Sequence, residues 1–379
     1  RIPFTDSIEK AHNAVQAINE AFQRDQVQPI VFIGKNADSS EFEFPKGMQF
    51  VRHPVFDRRN WQWLIDRVCN RIFHRPFLAE RVLRSNGINA VSHHNTLGFQ
   101  GMAQISWIAD FQHLHLPHFF SKTELRERDA RFRKTLKESD IVLVSSESAK
   151  KDLCSFSPEH AHKARVLHFC AIAPALREID ANIARITYSL KADYFFIPNQ
   201  FWAHKNHIVA IEALATLSSH FPELLIVCSG AIGDNRNLSH VGNLKKRIIE
   251  LGIEDRFLML GVIPYQHIAQ LMLQAVAVVN PSLFEGWSTT VEEAKALGVP
   301  LVLSDIPVHR EQCPNGEGRF FDPQDSESLA MQMKILLLES LETNARKQKV
   351  AGIDMTLAHC IRMRNFAEAY QKIVVEIAK

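Results

Sequence analysis

Two glutamates, Glu285 and Glu293, flank a predicted helix start in the stretch FEGWSTTVEEAKALGVP. Thr289 and Glu292 have the spacing of a capping box, which predicts a helix with Thr289 as its N-cap residue. The first backbone N–H groups of a helix have no acceptor within it. The amides around Ser288–Thr290 would therefore be open to bind an anion, and the helix dipole adds to the attraction.

A phosphate bound at this helix start would have one carboxylate on each side. Ionised carboxylates accept hydrogen bonds from hydroxyl groups, so Glu285 and Glu293 suit one sugar each. A diphosphate with a sugar on either side is a nucleotide sugar. Lys205, just ahead of a helix predicted to begin with Asn206 as N-cap, adds a positive charge suited to phosphate. The alternatives are ordinary first-turn acids favoured by the dipole and a solvated lysine.

Two series of short apolar strands alternating with amphipathic helices must position these residues. Continuous apolar strands separated by helices indicate parallel sheets covered on both faces, and ligands bind beyond the carboxyl ends of such strands. We predict an α/β protein with two doubly wound, Rossmann-like domains facing a cleft. The strands are expected within residues 29–34, 88–94, 103–110, 140–146 and 164–170, and within 193–199, 223–230, 256–263, 275–282 and 300–305.

Strand character lapses at about residues 177–193, which sets the boundary between the two domains. We expect an N-terminal domain over residues 1–185 and a C-terminal domain over residues 186–360. A last helix is expected over residues 361–379.

The composition is that of a soluble globular protein, with 379 residues, 46% hydrophobic and 23% charged residues and a formal net charge of +2. This balance gives no argument for a nucleic-acid partner, and no apolar run has the length of a membrane span. Six scattered cysteines without C-x-x-C spacing are interpreted as reduced core thiols of a cytoplasmic protein. The chain starts at Arg1 and opens on a predicted helix, Ser7–Arg24, so we expect its natural N-terminus to lie upstream.

Three segments, NQFWAHKNH, LGIEDRFLMLGVIPYQHIAQLM and FEGWSTTVEEAKALGVPLVLSD, together resemble the donor-binding domain of the retaining GT-B glycosyltransferases of family four. The resemblance implies a nucleotide-sugar donor in the second domain. Glu285 would face the transferred sugar, and Glu293 would bind the nucleotide ribose. The backbone at Ser288 and Thr289 would hold the distal phosphate, and Lys205 would neutralise it.

The same resemblance places the nucleotide base in the loop Gly261–Tyr265, at Ile263, and assigns Gly230 to a close approach of the backbone to the donor. Gln200 stands where the family usually has an arginine, and a glutamine cannot supply charge. Lys205 and the helix dipole must then neutralise more of the diphosphate. No D-x-D motif occurs in the chain, so we predict transfer without a metal ion and without a cofactor beyond the donor.

The histidine-rich stretch WIADFQHLHLPHFFS follows a predicted strand of the first domain and contains Asp110, His113, His115 and His118. Its H-x-H-x-x-H spacing suits a metal site, although no second ligand group is evident, and structural histidines are the alternative. In the resembling family an acidic or histidine residue at this strand end faces the reacting sugar. Alignment of PHFFS puts Asp110 at the acidic position and Ala109 at the histidine position, which leaves Asp110 or His113 at the sugar.

The segment Arg58–Arg84 contains seven arginines, two acidic residues and interleaved aromatic residues. A basic helix with aromatic side chains can lie on anionic lipid. The alternative is an ordinary surface helix whose aromatic residues pack into the first domain. Membrane contact would favour a lipid-linked acceptor, as in the synthesis of bacterial surface polysaccharides.

The sequence therefore predicts a hexosyltransferase that passes a hexose from a nucleotide-diphosphate sugar to a saccharide or lipid-linked acceptor with retention of configuration. In the mechanism that the resemblance implies, the departing phosphate takes the acceptor proton. The C-terminal helix is expected to pack back on the first domain and brace cleft closure. The alternatives are a sugar-nucleotide hydrolase or epimerase of GT-B fold, a metallohydrolase built on the histidines, and a catalytically inactive binding protein.

Overall fold

The computed structural model describes residues 27–37, 49–92, 98–171, 182–234, 236–343 and 353–377. The helix predicted over Ser7–Arg24 lies outside these ranges. By its contacts the chain divides into two compact units. Unit 1 consists of residues 1–111, 126–170 and 360–379, and unit 2 consists of residues 112–125 and 171–359. The histidine-rich segment 112–125 thus packs with the second half of the chain, whereas the sequence-based domain limits, which stay predictions, kept it with the first.

Unit 1 contains short parallel strands. In its described part these are β1 (Ile30–Ile33), β2 (Gln49–Arg52), β3 (Ala90–Ser92), β4 (Ala103–Ile108), β5 (Ile141–Val144) and β6 (Ala164–Val166). β1 pairs with β2, while β3, β4, β5 and β6 form a second sheet in that order. β5 is buried along its whole length, and Val142 and Val144 pack with Phe111, Phe132 and Leu153 in one core cluster.

Helices of both units connect and cover the strands. In chain order the described helices are α1 (Trp61–Phe73), α2 (Phe77–Ser85), α3 (Gln112–His115), α4 (Lys122–Glu138), α5 (Glu147–Phe156), α6 (Asn182–Thr187), α7 (His207–Leu217), α8 (His240–Glu250), α9 (Tyr265–Gln274), α10 (Thr289–Leu297), α11 (Pro307–Gln312), α12 (Ser326–Thr343) and α13 (Ile353–Ile377). Four one- or two-turn 3₁₀ helices occur in the described loops: Pro54–Phe56, Pro117–Phe119, Pro158–Lys163 and Ala203–Lys205.

Unit 2 is a doubly wound, six-stranded parallel sheet. Its strands are β7 (Tyr194–Ile197), β8 (Leu225–Cys228), β9 (Phe257–Met259), β10 (Val278–Asn280), β11 (Leu301–Ser304) and β12 (Gly318–Phe321). Their order across the sheet is β9-β8-β7-β10-β11-β12, the Rossmann order, which reverses direction between β7 and β10. Beyond the carboxyl ends of these two strands is the place where such sheets bind ligands.

The side chains of strand β7 are buried on both faces of the unit 2 sheet. All of its residues are therefore apolar, without the alternation of polar and apolar residues seen in half-exposed strands. Phe195 and Ile197 pack in one core cluster with Leu214 of α7. Tyr194 and Phe196 pack in another with Val291 of α10. The loop that follows β7 therefore begins at a strand that is packed on both faces.

The α/β fold class with parallel sheets is confirmed. Each of the ten strands expected from the sequence contains an observed strand, and β2 and β12 were not predicted. All six cysteines are free, and Cys170, Cys228 and Cys313 are buried, but Cys360 is exposed, so the core-thiol interpretation is wrong for that residue. Among the described helices, none has both the length and the apolar composition needed to cross a bilayer.

Candidate active site

The centre of the candidate site is an ion pair at the strand-order reversal. Lys205, at the end of the 3₁₀ turn after β7, donates from Nζ to Oε1 of Glu285, in the loop after β10, at 2.5 Å. Both side chains are mostly buried, with 16% of Lys205 and 10% of Glu285 exposed. Burial alone would raise the pKa of Glu285, but the Lys205 charge and the hydrogen bonds from Lys205 and Ser282 outweigh it and hold that pKa below its ordinary value.

Asn206 fixes the turn that carries Lys205. It occupies the N-cap position of α7, as expected, but its backbone is left-handed (φ 55°) and its side chain makes no cap hydrogen bond. Instead Nδ2 donates to the carbonyls of Pro281 at 3.2 Å and Pro323 at 2.8 Å. The side chain therefore ties the Lys205 turn to the loop that carries Glu285.

A network of buried hydrogen bonds at the end of β10 holds Glu285 in place. Asn280, the fully buried last residue of β10, accepts at Oδ1 from Asn199 Nδ2 at 3.2 Å. The hydroxyl of Ser282 lies 2.7 Å from both Asn280 Oδ1 and Glu285 Oε1, and its single hydrogen can be donated to one of them at a time. Asn280 Nδ2 donates to Ser288 Oγ at 2.7 Å. Neither asparagine could be singled out from the sequence, because their roles depend on hydrogen bonds between residues 81 and 8 positions apart.

The helix start differs from the prediction by one residue. Ser288, not Thr289, is the N-cap of α10, and its Oγ accepts from the amide of Val291 at 3.3 Å. The predicted capping box is therefore wrong. Asn280 fixes the Ser288 hydroxyl in this position, and Glu292, which is buried, accepts from Gln312 Nε2 at 3.0 Å instead.

The side chain of Gln312 in α11 forms hydrogen bonds with both the backbone amide and the backbone carbonyl of Ser288. Its Oε1 accepts from the Ser288 amide at 3.1 Å, and its Nε2 donates to the Ser288 carbonyl at 3.0 Å. The expectation that the Ser288 amide is open to an anion is therefore wrong. The amides of Thr289 and Thr290, the first two residues of α10, are the ones at the helix start without an acceptor inside the helix.

Glu293 is linked to the loop predicted to hold the nucleotide base. Tyr265, the first residue of α9, donates from its hydroxyl to Glu293 Oε1 at 2.9 Å. Ile263, two residues earlier, packs partly buried against a core cluster of unit 2. The second glutamate of the motif and the loop Gly261–Tyr265 are thus neighbours, a contact that the sequence analysis did not predict.

Gly230 allows two loops of the protein to approach each other. Its φ is +135°, and a Cβ at this position would lie 2.7 Å from the carbonyl oxygen of Asn199 and 2.8 Å from the nitrogen of Gln200. The close approach in the structure is thus between the protein's own loops after β7 and β8. Gln200 itself is exposed.

The two candidates for the sugar-facing residue of the first half lie in different units. Asp110, in unit 1, accepts at Oδ1 from Arg128 Nη2 at 2.8 Å. His113, in unit 2, is buried with 2% of its surface exposed. The exposed ring of His115 packs on Phe284, the residue before Glu285, with the ring centroids 5.1 Å apart. The histidine that contacts the Glu285 loop is therefore His115, which is neither of the two candidates for the sugar-facing residue.

The metal-site alternative has no geometric basis in the part of the chain that the structure describes. There, no group of three or more His, Cys, Asp or Glu side chains is arranged to hold an ion. His113 is buried, whereas His115 and His118 are exposed.

Solved structures show the class of fold. Sucrose-phosphate synthase from Thermosynechococcus elongatus superposes with a TM-score of 0.65 at 16% identity, over 96% of this chain and 92% of that one. HepE of Anabaena, in complex with UDP and glucose, gives a TM-score of 0.63 at 16% identity over 95% of each chain. This likeness assigns the GT-B fold, with two Rossmann-like domains, while the cleft between them stays a prediction.

The second half of the chain also resembles a known sequence family. Residues 179–351 match the sequence model of the family described as Glycosyl transferases group 1. The O-antigen chain mannosyltransferase RfbU of Salmonella typhimurium is 29% identical over 138 residues, which span only 36% of each of the two chains. Mannosylfructose-phosphate synthase of Agrobacterium fabrum is 22% identical over 338 residues, covering 78% of this chain and 71% of that one.

Proposed function

We propose that the protein is a retaining glycosyltransferase of family four that moves a hexose from a nucleotide-diphosphate sugar to a saccharide or lipid-linked acceptor. The Lys205–Glu285 ion pair at the strand-order reversal, inside a region matching group 1 glycosyltransferases, is the observation that carries this proposal. The likeness to an O-antigen mannosyltransferase and to a protein solved with UDP and glucose supports sugar transfer from a nucleotide donor.

The donor would bind beyond the carboxyl ends of β7 and β10. Its diphosphate lies at the start of α10, near the amides of Thr289 and Thr290 and the ammonium group of Lys205. Glu285 accepts a hydrogen bond from a hydroxyl of the transferred sugar. On the other side Glu293 accepts from the ribose.

Five further residues shape this donor site. Tyr265 orients Glu293, and the base lies against Ile263. Ser288 holds the helix start in place, and Gly230 and Gln200 border the phosphates.

The chemistry proceeds at one carbon of the donor sugar. The bond from that carbon to the diphosphate oxygen breaks, and the acceptor oxygen bonds to the same face. The departing phosphate takes the acceptor proton, so no strong protein base is required. Lys205 and the helix amides stabilise the developing negative charge without a metal ion or a cofactor. Asp110 or His113 contacts the sugar from the acceptor side.

A thermal-shift screen against UDP, GDP, ADP and their hexose conjugates tests this function. We expect one base series to raise the melting temperature, and Lys205→Ala to abolish most of that shift. The exposed Lys246→Ala, at 77% exposure, is the matched control and should keep the full shift. Failure of every nucleotide to stabilise the wild-type protein would contradict the proposal.

Product analysis with the stabilising donor separates transfer from its alternatives. Glu285→Ala should abolish transfer and retain nucleotide binding. Release of free sugar at equal rates with and without acceptor would favour a hydrolase, and a changed sugar on an intact nucleotide would favour an epimerase.

The helix α1 is apolar on its exposed side. Its large apolar residues are 44–63% exposed: Trp61, Leu64, Ile65, Val68, Ile72 and Phe73. The buried residue of this helix is Asp66, whose carboxylate accepts from the amides of Leu78 at 2.7 Å and Ala79 at 2.6 Å. The expectation that the aromatic residues pack into the first domain is wrong for Trp61 and Phe73.

A helix with exposed apolar residues and a buried aspartate suits contact with a membrane surface that carries anionic lipids. The spacing of the apolar residues by three, four and seven places puts them on one helix face. Arg67 and Arg71, exposed on the same helix, supply charge that anionic lipid headgroups attract. The proposed location is the inner face of the cytoplasmic membrane, and the acceptor is then lipid-linked.

Flotation with vesicles tests the membrane contact. The wild-type protein should float with vesicles of phosphatidylglycerol and phosphatidylcholine but not with phosphatidylcholine alone. Val68→Glu combined with Ile72→Glu should abolish flotation. The control Ile249→Glu, in α8 and 62% exposed, should not. If the double variant floats normally, or unfolds because the face is packed within the protein, the membrane proposal is wrong.

A further inference from the structure

The donor diphosphate of the proposed function carries more negative charge than the single ammonium group of Lys205 can balance. A nucleotide-diphosphate sugar carries one negative charge on each phosphate. The Lys205 ammonium makes a hydrogen bond and an ion pair with Glu285, so the two charges compensate each other. Gln200, on the same loop, is uncharged. A second cation near this loop would balance more of the diphosphate charge than Lys205 and the amides of the helix start do by themselves.

The loop after β8 is joined to the loop that carries Lys205. The amide of Phe201 donates to the carbonyl of Ala231 at 3.1 Å, and the amide of Ala203 donates to Asp234 Oδ2 at 3.0 Å. Gly230 brings the two backbones into contact at the root of both loops. Side chains of the β8 loop are thus held against the Lys205 turn.

Arg236 of this second loop lies between two aromatic rings. Its guanidinium carbon is 5.4 Å from the ring centroid of Trp202, three residues before Lys205, and 4.9 Å from that of Phe120. Such stacking fixes the plane of a guanidinium and leaves its edge available for hydrogen bonds.

The hydrogen bonds around Arg236 leave most of its donors available. Both oxygens of the neighbouring Asp234 carboxylate accept from backbone amides, Oδ1 from that of Arg236 itself at 2.9 Å and Oδ2 from that of Ala203. Arg236 Nε lies 3.9 Å from Asp234 Oδ1, an ion-pair distance rather than a hydrogen bond. Within the described residues its guanidinium makes one long hydrogen bond, from Nη1 to Gln112 Oε1 at 3.5 Å.

We infer that Arg236 is a diphosphate-binding residue of the donor site, contacting the phosphate oxygens with its planar fork while Trp202 and Phe120 hold it in place. This inference rests on the proposed function. It also explains why segment 112–125 packs with unit 2, since Phe120 and Gln112 complete the support of this side chain.

Calorimetric titration with nucleoside diphosphates and monophosphates tests the inference, with UDP and UMP, GDP and GMP, and ADP and AMP as the probes. Arg236→Gln should weaken diphosphate binding about tenfold or more and monophosphate binding much less. Arg236→Lys, which keeps the charge but loses the fork, should fall between wild type and Arg236→Gln. The diphosphate affinity of Arg236→Gln should also depend less on salt concentration.

Arg185→Gln is the matched control. Arg185 belongs to the same unit and stacks on Tyr194, 5.8 Å from the ring centroid, at the opposite end of β7. It should bind nucleotides as the wild type does, and melting temperatures should show that all variants fold.

Three results would decide against the inference. Unchanged diphosphate affinity in Arg236→Gln, with Lys205→Ala impaired, would overturn the role of Arg236 alone. An equal loss for both nucleotide classes would assign Arg236 a structural role. No binding of any nucleotide to the wild type would overturn the proposed function itself.

Discussion

At the scale of single residues, the ion pair between Lys205 and Glu285 governs how the site responds to pH. The pKa of Glu285 is lowered in the folded protein, because the Lys205 charge outweighs the effect of burial. Its charge therefore stabilises the fold above the ordinary carboxyl pKa. This contribution is lost as the pH falls through the lowered value.

Lys205→Met should reverse this pH dependence. Without the ammonium group, burial raises the pKa of Glu285, so the charged carboxylate destabilises the fold at neutral pH. The free energy of unfolding should drop by about 3–5 kcal/mol near pH 7, and the loss should shrink towards acidic pH as Glu285 is protonated. Melting temperatures across this range, with the double variant Lys205→Met and Glu285→Gln as control, would show it. A loss that is constant with pH would contradict this explanation.

Tyr265→Phe probes the second glutamate. The substitution removes the 2.9 Å hydrogen bond to Glu293 Oε1 and keeps the aromatic ring of Tyr265, a residue that is 54% exposed. We expect the KM for the donor to rise about two- to tenfold with kcat nearly unchanged, because a bond to the ribose side acts on binding. Steady-state kinetics with varied donor measure both constants. A fall in kcat at unchanged KM would place Tyr265 and Glu293 at the reacting sugar instead.

At the scale of elements, apolar runs predicted the strands well because burial on both faces leaves a clear pattern. β2 was missed because its QFVR sequence is mostly exposed, and β12 because GRFF has only a short apolar end. The start of α10 was misplaced by one residue because Ser288 and Thr289 are equivalent as local caps. Asn280, from the neighbouring strand, makes the difference.

Within the candidate site, residues in local motifs were predictable, and residues that act through distant contacts were not. Lys205, Glu285 and Glu293 could be singled out from local motifs. The partners Tyr265, Gln312 and Arg236 could not, because their contacts depend on how distant loops meet.

Two glycines of the β8 loop offer a matched test of this loop packing. Gly230→Ala places a Cβ 2.7 Å from the Asn199 carbonyl oxygen at a φ of +135°, whereas a Cβ on Gly233 meets nothing within 4 Å. Gly230→Ala should lower the free energy of unfolding by about 2 kcal/mol or more and weaken nucleotide binding. Gly233→Ala should be near neutral. Chemical denaturation and calorimetry measure the two effects, and equal behaviour of both variants would refute the role of Gly230.

At the scale of the whole molecule, the chain leaves unit 1, forms unit 2 and returns. The last part of α13 belongs to unit 1, where Phe366 and Ile373 are buried. Arg165 donates to Glu376 at 2.6 Å in the same unit. Unit 1 is therefore completed by residues from the far end of the sequence.

Phe366→Ala should destabilise unit 1 without affecting the donor site. Loss of a buried phenylalanine costs about 3–5 kcal/mol, so the melting transition of unit 1 should move to lower temperature. The exposed Ile361→Ala in the same helix is the control, with 51% of its surface exposed. Differential scanning calorimetry and nucleotide titration follow the two units separately. Impaired nucleotide affinity in Phe366→Ala would contradict the independence of the donor site.

Lys205 and Glu285 form an ion pair with each other, and this pairing affects which molecules can bind in the site. A free monosaccharide has to compete with an ammonium group for the carboxylate and leaves that ammonium unbalanced. A nucleotide sugar brings an anion for the lysine and hydroxyl groups for the glutamate together, so both partners are exchanged in one event. In the proposed function, the ion pair would thereby discriminate against unactivated hexoses, with no need for a side chain that excludes them by shape.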